Sequence, residues 1–365
     1  MKNKFLIVII LSLIFNSCAE DTPVSPEEPL GYTSVGAPAK SLPEFENVLE
    51  RIRTDLKIPG LSAAITKNKK IVWAKGFGYA NKESATEAAP ETVYHLASLT
   101  KTFAATLIMQ LVEENKLSLD DPVTDYGIDL DAEGIIRVKN LLSHTSEGVP
   151  GSHYNYSGNR YSYLDYVMSG VSGKTFCELL NEKIILPLKL NLTAANPFSP
   201  QNCVQNKAIL DKLAQGYTAN GKNTVPFPTI FNSAAGLISN VIDVSKFSIA
   251  LDNDILLKDT TKELMFTPFI SNNGDELPHA LGWFVDRNES VKVIWHYGYW
   301  DAYSALIIKI PERELSFVIL ANSNRLSSAS KGIGTDQDVN HSVVAQEFLN
   351  AFVNGNAQLP DTSVY

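Results

Sequence analysis

The sequence predicts an α+β fold: one antiparallel sheet with helices packed on it, interrupted by an inserted, mostly helical lobe. Three observations carry this. An amphipathic helix and a hairpin pattern open the folded part, a run of apolar strands with short turns closes it, and the stretch between reads as helix and loop.

Taken in order, Phe45, Val48, Leu49, Ile52 and Leu56 recur at helical spacing up to the stop at Pro59-Gly60. Leu61–Thr66 and Ile71–Gly76 flank the polar turn Lys67–Lys70, a hairpin signal. From Ser98 to about Pro228 the pattern is helical, with loops rich in Asn, Ser, Gly and Pro, and Val241–Leu251 is a further helix. Strands are expected at His279–Val285, Val291–Trp295, Ala302–Ile310 and Leu315–Asn322, with residues 311–314 turning between the last two. A helix over Asn340–Val353 closes the domain before a polar tail, 354–365. The domain spans 41–353, with a sheet lobe from 41–95 and 232–353 and a helical lobe from 96–231. No internal repeat or heptad pattern interrupts it.

The chain has 365 residues, 44% hydrophobic and 19% charged, which suits a large globular core rather than disorder. Its net charge of −9 without a basic stripe argues against nucleic-acid binding. The first seventeen residues read as a signal peptide. Lys2 and Lys4 precede the apolar run Phe5–Phe15, which is too short to cross a bilayer as a helix, for which ~20 residues are needed. The run ends Phe15-Asn16-Ser17-Cys18, which resembles a bacterial lipobox with Cys18 as the lipidated residue. Residues 18–40, rich in Pro and acidic groups, then read as a tether. The expected location is the bacterial cell envelope, with the membrane as a partner through the lipid. Cys177 and Cys203 are read as two unpaired structural thiols, because two cysteines do not by themselves specify a bridge. Thr175-Phe176-Cys177-Glu178 has the form of a capping box, placing Cys177 in a first helical turn.

Several chemical motifs fail. Gly173-Lys174-Thr175 lacks the first glycine of a phosphate-binding loop, since position 168 is Met168. There is no G-x-S-x-G, no H-E-x-x-H and no metal-ligand spacing. What survives is Ser98-Leu99-Thr100-Lys101. Residues three apart on a helix share a face, and a serine hydroxyl needs a neighbouring proton acceptor to become a nucleophile. A second match, Ser328-Ala329-Ser330-Lys331, sits in a Ser/Gly-rich loop with no apolar helix after it. Ser98 instead opens the helix Phe103–Val112, whose first turn aims backbone N–H groups at the seryl oxygen.

In this context Tyr94-His95-Leu96-Ala97-Ser98-Leu99-Thr100-Lys101 resembles the first motif of the serine β-lactamase-related, penicillin-binding-protein-like family, which includes class C β-lactamases, D,D-peptidases and family VIII carboxylesterases. Leu141-Leu142-Ser143-His144-Thr145-Ser146 resembles that family's loop after its early helices. Pro150–Ser157 is similar to the approach to the second motif, with Tyr156 as its tyrosine, and His296-Tyr297-Gly298 to the third motif in its His-x-Gly form. Ser233-Ala234-Ala235-Gly236-Leu237-Ile238-Ser239 is a further family hallmark. The resemblance implies a β-lactamase/transpeptidase-like fold and an acyl-enzyme on Ser98. Lys101 and Tyr156 would carry the seryl proton, and the backbone N–H groups of Ser98 and Tyr299 would form an oxyanion hole. His296 would line the cleft and hydrogen-bond Tyr156 or substrate, with Gly158, Asn159 and Gly298 as substrate-binding positions. His144 is expected to be structural and to hydrogen-bond backbone. No metal or organic cofactor is implied.

Three departures bear on substrate. The usual Tyr-x-Asn reads Tyr156-Ser157-Gly158, with Asn159 one place late. The Ser-His-Thr-Ser loop runs almost directly into Pro150-Gly151, shortening one cleft wall. His296 replaces the lysine that β-lactamases commonly carry, and imidazole is largely neutral at pH 7. The expected substrates are therefore small-molecule or peptide acyl donors, esters or D-amino-acid peptides and amides, ahead of β-lactams. A D,D-peptidase, a β-lactamase proper and a non-catalytic envelope binding protein are the alternatives. Nothing in the sequence sets the oligomeric state.

Overall fold

The computed structural model describes residues 37–200, 207–328 and 338–365. Expectations for the signal peptide, Cys18, most of the tether, Cys203 and Lys331 fall outside these residues. Among the described residues no helix is long and apolar enough to cross a membrane.

Helix α1 (Leu42–Asp55) begins at Ser41, whose side chain caps Glu44 N, and buries Phe45, Val48, Leu49 and Ile52 as the spacing predicts. It leads into β1 (Gly60–Lys67) and β2 (Lys70–Asn81), the expected hairpin, with β3 (Thr86–Glu87) on the outside. The chain then leaves the sheet through α2 (Thr100–Glu113) and several short helical segments, and returns through α3 (Val241–Asp252). The late strands are β4 (Phe284–Asn288), β5 (Val291–Trp300), β6 (Tyr303–Ile310) and β7 (Leu315–Ala321), followed by α4 (Val343–Phe352). All seven form one antiparallel sheet in the order β3-β2-β1-β7-β6-β5-β4. The first hairpin and the last meander thus meet along β1 and β7, where Leu61 faces Ala321 and Lys67 faces Leu315.

Both faces of this sheet are covered, which is why its strands read as near-continuous apolar runs. One face packs Ile65, Trp295, Phe317 and Ile319 against α1 and α4, with Phe317 stacked on Phe348 at 4.7 Å. The other packs Ile294, Ala305, Ile307 and Leu320 toward α2 and α3, where Phe103 stacks on Phe247 at 3.9 Å. Helix α2 is buried almost throughout, from Thr100 to Met109 and again at Leu111, so it is the central pillar between sheet and helical lobe.

Two expectations need correction. The strand predicted from His279 begins only at Phe284. Gly282 (φ +81) turns the chain inward so that its N–H reaches Leu142 O at 3.0 Å, and a Cβ there would lie 2.3 Å from that of Ala105. The polar tail, 354–365, docks back on the domain: Val364 N–H bonds Ile71 O at 2.9 Å, and the Tyr365 hydroxyl bonds Glu91. Cys177 sits under the predicted Thr175/Glu178 capping box, but it is disulfide-bonded and not a free thiol. Bridge formation depends on tertiary proximity, which sequence spacing does not encode.

Candidate active site

Ser98 lies in a short 3-10 turn (Ala97–Leu99) that runs straight into α2. Three contacts shape that turn. Ala97 is held at φ +48, a region costly for a residue with a Cβ. Its N–H is taken by Nδ1 of the buried His95 at 3.1 Å. Thr100 Oγ1 donates to Ala97 O at 2.7 Å and accepts Leu237 N–H at 3.0 Å, tying the turn to the strand after the Ser-Ala-Ala-Gly segment. His95, which the sequence offers only as a position in the first motif, is therefore part of the support of the Ser98 turn. Burial drives its pKa down to about 3, so it stays neutral and keeps its Nδ1 lone pair.

Lys101, one turn along α2, is 1% exposed, and its Nζ donates to Ser98 Oγ at 3.0 Å and to Ala234 O at 2.9 Å. The Ala234 carbonyl is delivered by a rigid turn. Asn232 Oδ1 accepts the N–H groups of Ala234 and Ala235, Asp165 accepts Ser233 N–H at 2.8 Å, and Gly236 sits at φ +108 against Ile230 O. Burial raises Asp165 to about 6. Reading the motifs singled out Ser233–Ser239 but not this role, because a backbone carbonyl leaves no side-chain signal.

Tyr156 is brought to the same place. Its ring centroid lies 4.9 Å from Lys101 Nζ, and that of Tyr161 lies 5.4 Å from it. Tyr161 also donates to Lys101 O at 3.0 Å, so a neighbour in the tyrosine cluster supports the lysine's backbone. Gly158 and Asn159 open the short helix after Tyr156, capped by Ser157. The Asn159 side chain is exposed, and among the described residues no hydrogen bond joins it to Ser98 or Lys101.

His296 and Gly298 lie on β5 past Trp295, where the ladder to β4 ends and one side of the strand is free to face the Ser98 turn. Gly298 is required by contact: a Cβ there would lie 2.1 Å from Leu96 O and 3.0 Å from Ala305 Cβ. Tyr299 follows at this junction. Gly298→Ala is thus expected to push Ser98 and Tyr299 apart and to cost about 2–3 kcal/mol, as overpacking does. A thermal midpoint within a degree of wild type would contradict that.

The expected hydrogen bond from His296 to Tyr156 is not made. His296 is 0% exposed, its Nδ1 lies 2.7 Å from Tyr297 O, and among the described residues its Nε2 has no hydrogen-bond partner, so it does not line an open cleft. Burial first, then the positive Lys101 and neighbouring His279, hold it well below the usual imidazole range. The third-motif resemblance marked this position, but its depth depends on Phe284 and His279, whose ring centroids lie 5.4 and 6.1 Å away. Among the described residues no cluster of His, Cys, Asp or Glu could hold a metal ion.

A sheet covered on both faces, with a Ser–Lys pair at the head of its central helix and a tyrosine against the lysine, defines the serine β-lactamase/transpeptidase class of fold. The chain belongs to the Beta-lactamase family, whose model matches residues 45–339. It is 26% identical to Protein flp of Staphylococcus aureus (strain MW2) over 327 residues, 77% of this chain and 63% of that one. It is 29% identical to PbpX of Bacillus subtilis (strain 168), over 65% of each chain. The chain thus spans under two thirds of the length of these relatives. Among solved structures it is similar to the octameric penicillin-binding protein homologue from Pyrococcus abyssi, with TM-score 0.73, 25% identity, and coverage of 86% of this chain and 78% of that one. It shares its fold with the D-alanine carboxypeptidase AmpC from Burkholderia cenocepacia, with TM-score 0.66, 19% identity, and coverage of 80% and 99%.

Proposed function

We propose that this chain is an exported serine hydrolase that forms an acyl-enzyme on Ser98 and acts on esters or on D-amino-acid peptides and amides. The observation that carries the reading is the 3.0 Å contact between the buried Lys101 Nζ and Ser98 Oγ. Ser98 Oγ attacks the acyl carbon, the seryl proton passes by way of Lys101 and Tyr156 to the leaving group, and water later releases the acid. The N–H groups of Ser98 and Tyr299 would stabilise the developing oxyanion, donors typically worth ~3 kcal/mol each.

Buried, neutral His296 offers no cation to a β-lactam carboxylate, and exposed Asn159 offers no fixed amide. We therefore expect p-nitrophenyl acetate or butyrate to turn over, with nitrocefin at least about tenfold slower in kcat/KM. A panel adding D-amino-acid amides and muropeptides tests the ranking. Efficient nitrocefin hydrolysis without esterase activity would promote the β-lactamase alternative.

Export and lipid anchoring belong to the same proposal. The disulfide at Cys177 suits an oxidising compartment, and the Lys2–Cys18 leader suits a lipoprotein. Cys18→Ala is expected to move the protein from the membrane to the soluble fraction, and unchanged fractionation and N-terminal mass would assign a plain secretory signal.

A further inference from the structure

His144, stacked on Tyr156, is the first of three buried histidines in a row with His279 and His296, with ring centroids 4.8 Å apart for His144–His279 and 6.1 Å for His279–His296. They are not equivalent. His279 and His296 place Nδ1 2.8 and 2.7 Å from carbonyl oxygens, of Ala280 and Tyr297, so each carries its proton on Nδ1. His144 is the reverse: its Nδ1 accepts the Ser157 N–H at 3.2 Å, so its proton is on Nε2.

That bond is half of a clamp. The carbonyl of His144 accepts Asn155 N–H at 2.8 Å, so the residues on either side of Tyr156 are both bound by one histidine. Its ring stacks on Tyr156, with centroids 4.3 Å apart and planes at 29°, and lies near-parallel to Tyr161 at 5.2 Å. The clamp is itself fixed. His144 sits at φ +54, a conformation histidine and asparagine adopt more readily than most residues. Ser143 Oγ and Asn140 Nδ2 both reach Thr145 Oγ1, at 2.9 and 3.0 Å, and hold the loop around it. With Nδ1 occupied and Nε2 protonated, this imidazole is in no state to act as a base.

We infer that His144 is a positioning residue, which sets the place of Tyr156 over Lys101 through its Nδ1 lone pair. The inference rests on the reading of Ser98, Lys101 and Tyr156 as an acyl-transfer centre. His144→Asn keeps an acceptor oxygen where Nδ1 stood, whereas His144→Phe keeps the ring and removes the acceptor. With p-nitrophenyl butyrate and the full chain, His144→Phe is expected to lower kcat roughly 30- to 100-fold with KM within about threefold, in line with the cost of ångström-scale misplacement. His144→Asn should stay within about fivefold of wild type. Equal loss in both variants, or wild-type kcat in His144→Phe, overturns the inference. Should His144→Phe fail to fold, nitrogen NMR of the wild-type protein, which has six histidines, still decides. An Nε2-protonated His144 beside Nδ1-protonated His279 and His296 is expected, and an Nδ1-protonated His144 overturns the inference. Failure of the wild-type protein to turn over any panel substrate or to acylate at Ser98 would instead remove the functional reading, and the tautomer would still be measurable.

Discussion

Ser98→Ala is expected to remove both fluorophosphonate labelling and turnover of every substrate the wild-type protein accepts, by on the order of 10⁴-fold or more. No neighbouring hydroxyl replaces it: Thr100 Oγ1 is committed to Ala97 O and Leu237 N, and Thr102 Oγ1 to Leu99 O. Lys101→Met should be nearly as damaging to activity, since the seryl proton loses its first acceptor. Its effect on stability should be moderate, about 1–3 kcal/mol. Methionine matches the length of the lysine stem in a site lined by Tyr156 and Tyr161 rings, but it leaves the Ala234 carbonyl without its donor. The paired measurement is acylation of intact protein by mass, together with the thermal midpoint. Retention of ester turnover in Ser98→Ala would sink the mechanism.

Mild acid is expected to unfold the protein. Four histidines, His95, His144, His279 and His296, are buried and shifted down, His95 and His279 to about 3. Below an unfolded-state pKa of about 6.5 the unfolded chain binds protons that the folded one refuses, so stability is lost as pH falls from 6.5 toward the folded values. At pH 5.5 the loss is on the order of 1 kcal/mol per histidine, several kcal/mol for the four together, a large part of the stability of a typical domain. Asp165, raised to about 6 by burial, works in the opposite direction. Its folded form gains a proton first, but it returns only about 1 kcal/mol at pH 5.5. Asp243 and Glu347 are also raised by burial and act in the same sense as Asp165, and the four histidines outweigh these three carboxyls. Urea midpoints measured from pH 7.5 to 5 should fall steeply below 6.5, and His279→Leu should flatten the slope by about one proton. A midpoint constant across that range would refute the account.

These two experiments probe different layers of the molecule, and the layers differ in how far the sequence shows them. The Ser98–Lys101 pair was legible because its geometry is local: a turn of helix places residue 101 under residue 98 whatever surrounds it. The same holds for the 61–76 hairpin, the Thr175–Glu178 capping box and the apolar runs of the last strands, each specified by residues within one element. Gly298 was legible as a motif position, though its cause, the Leu96 carbonyl at its Cα, is a contact between distant segments.

What only tertiary structure decided is which polar groups face each other once the lobes close. The Ala234 carbonyl on Lys101, Asp165 on Ser233, His95 on Ala97 and His144 on Ser157 join residues by backbone atoms or by single lone pairs, which carry no periodicity or spacing. Depth is equally nonlocal. The His-x-Gly motif pointed to His296, but only the packing of Phe284 and His279 against it made it a sealed, neutral imidazole rather than a cleft residue. The sequence alone therefore determined the Ser98–Lys101 pair and the sheet that carries it. The folded chain decided how they are held, because a hydrogen-bond partner is chosen by proximity in space and not by order along the chain.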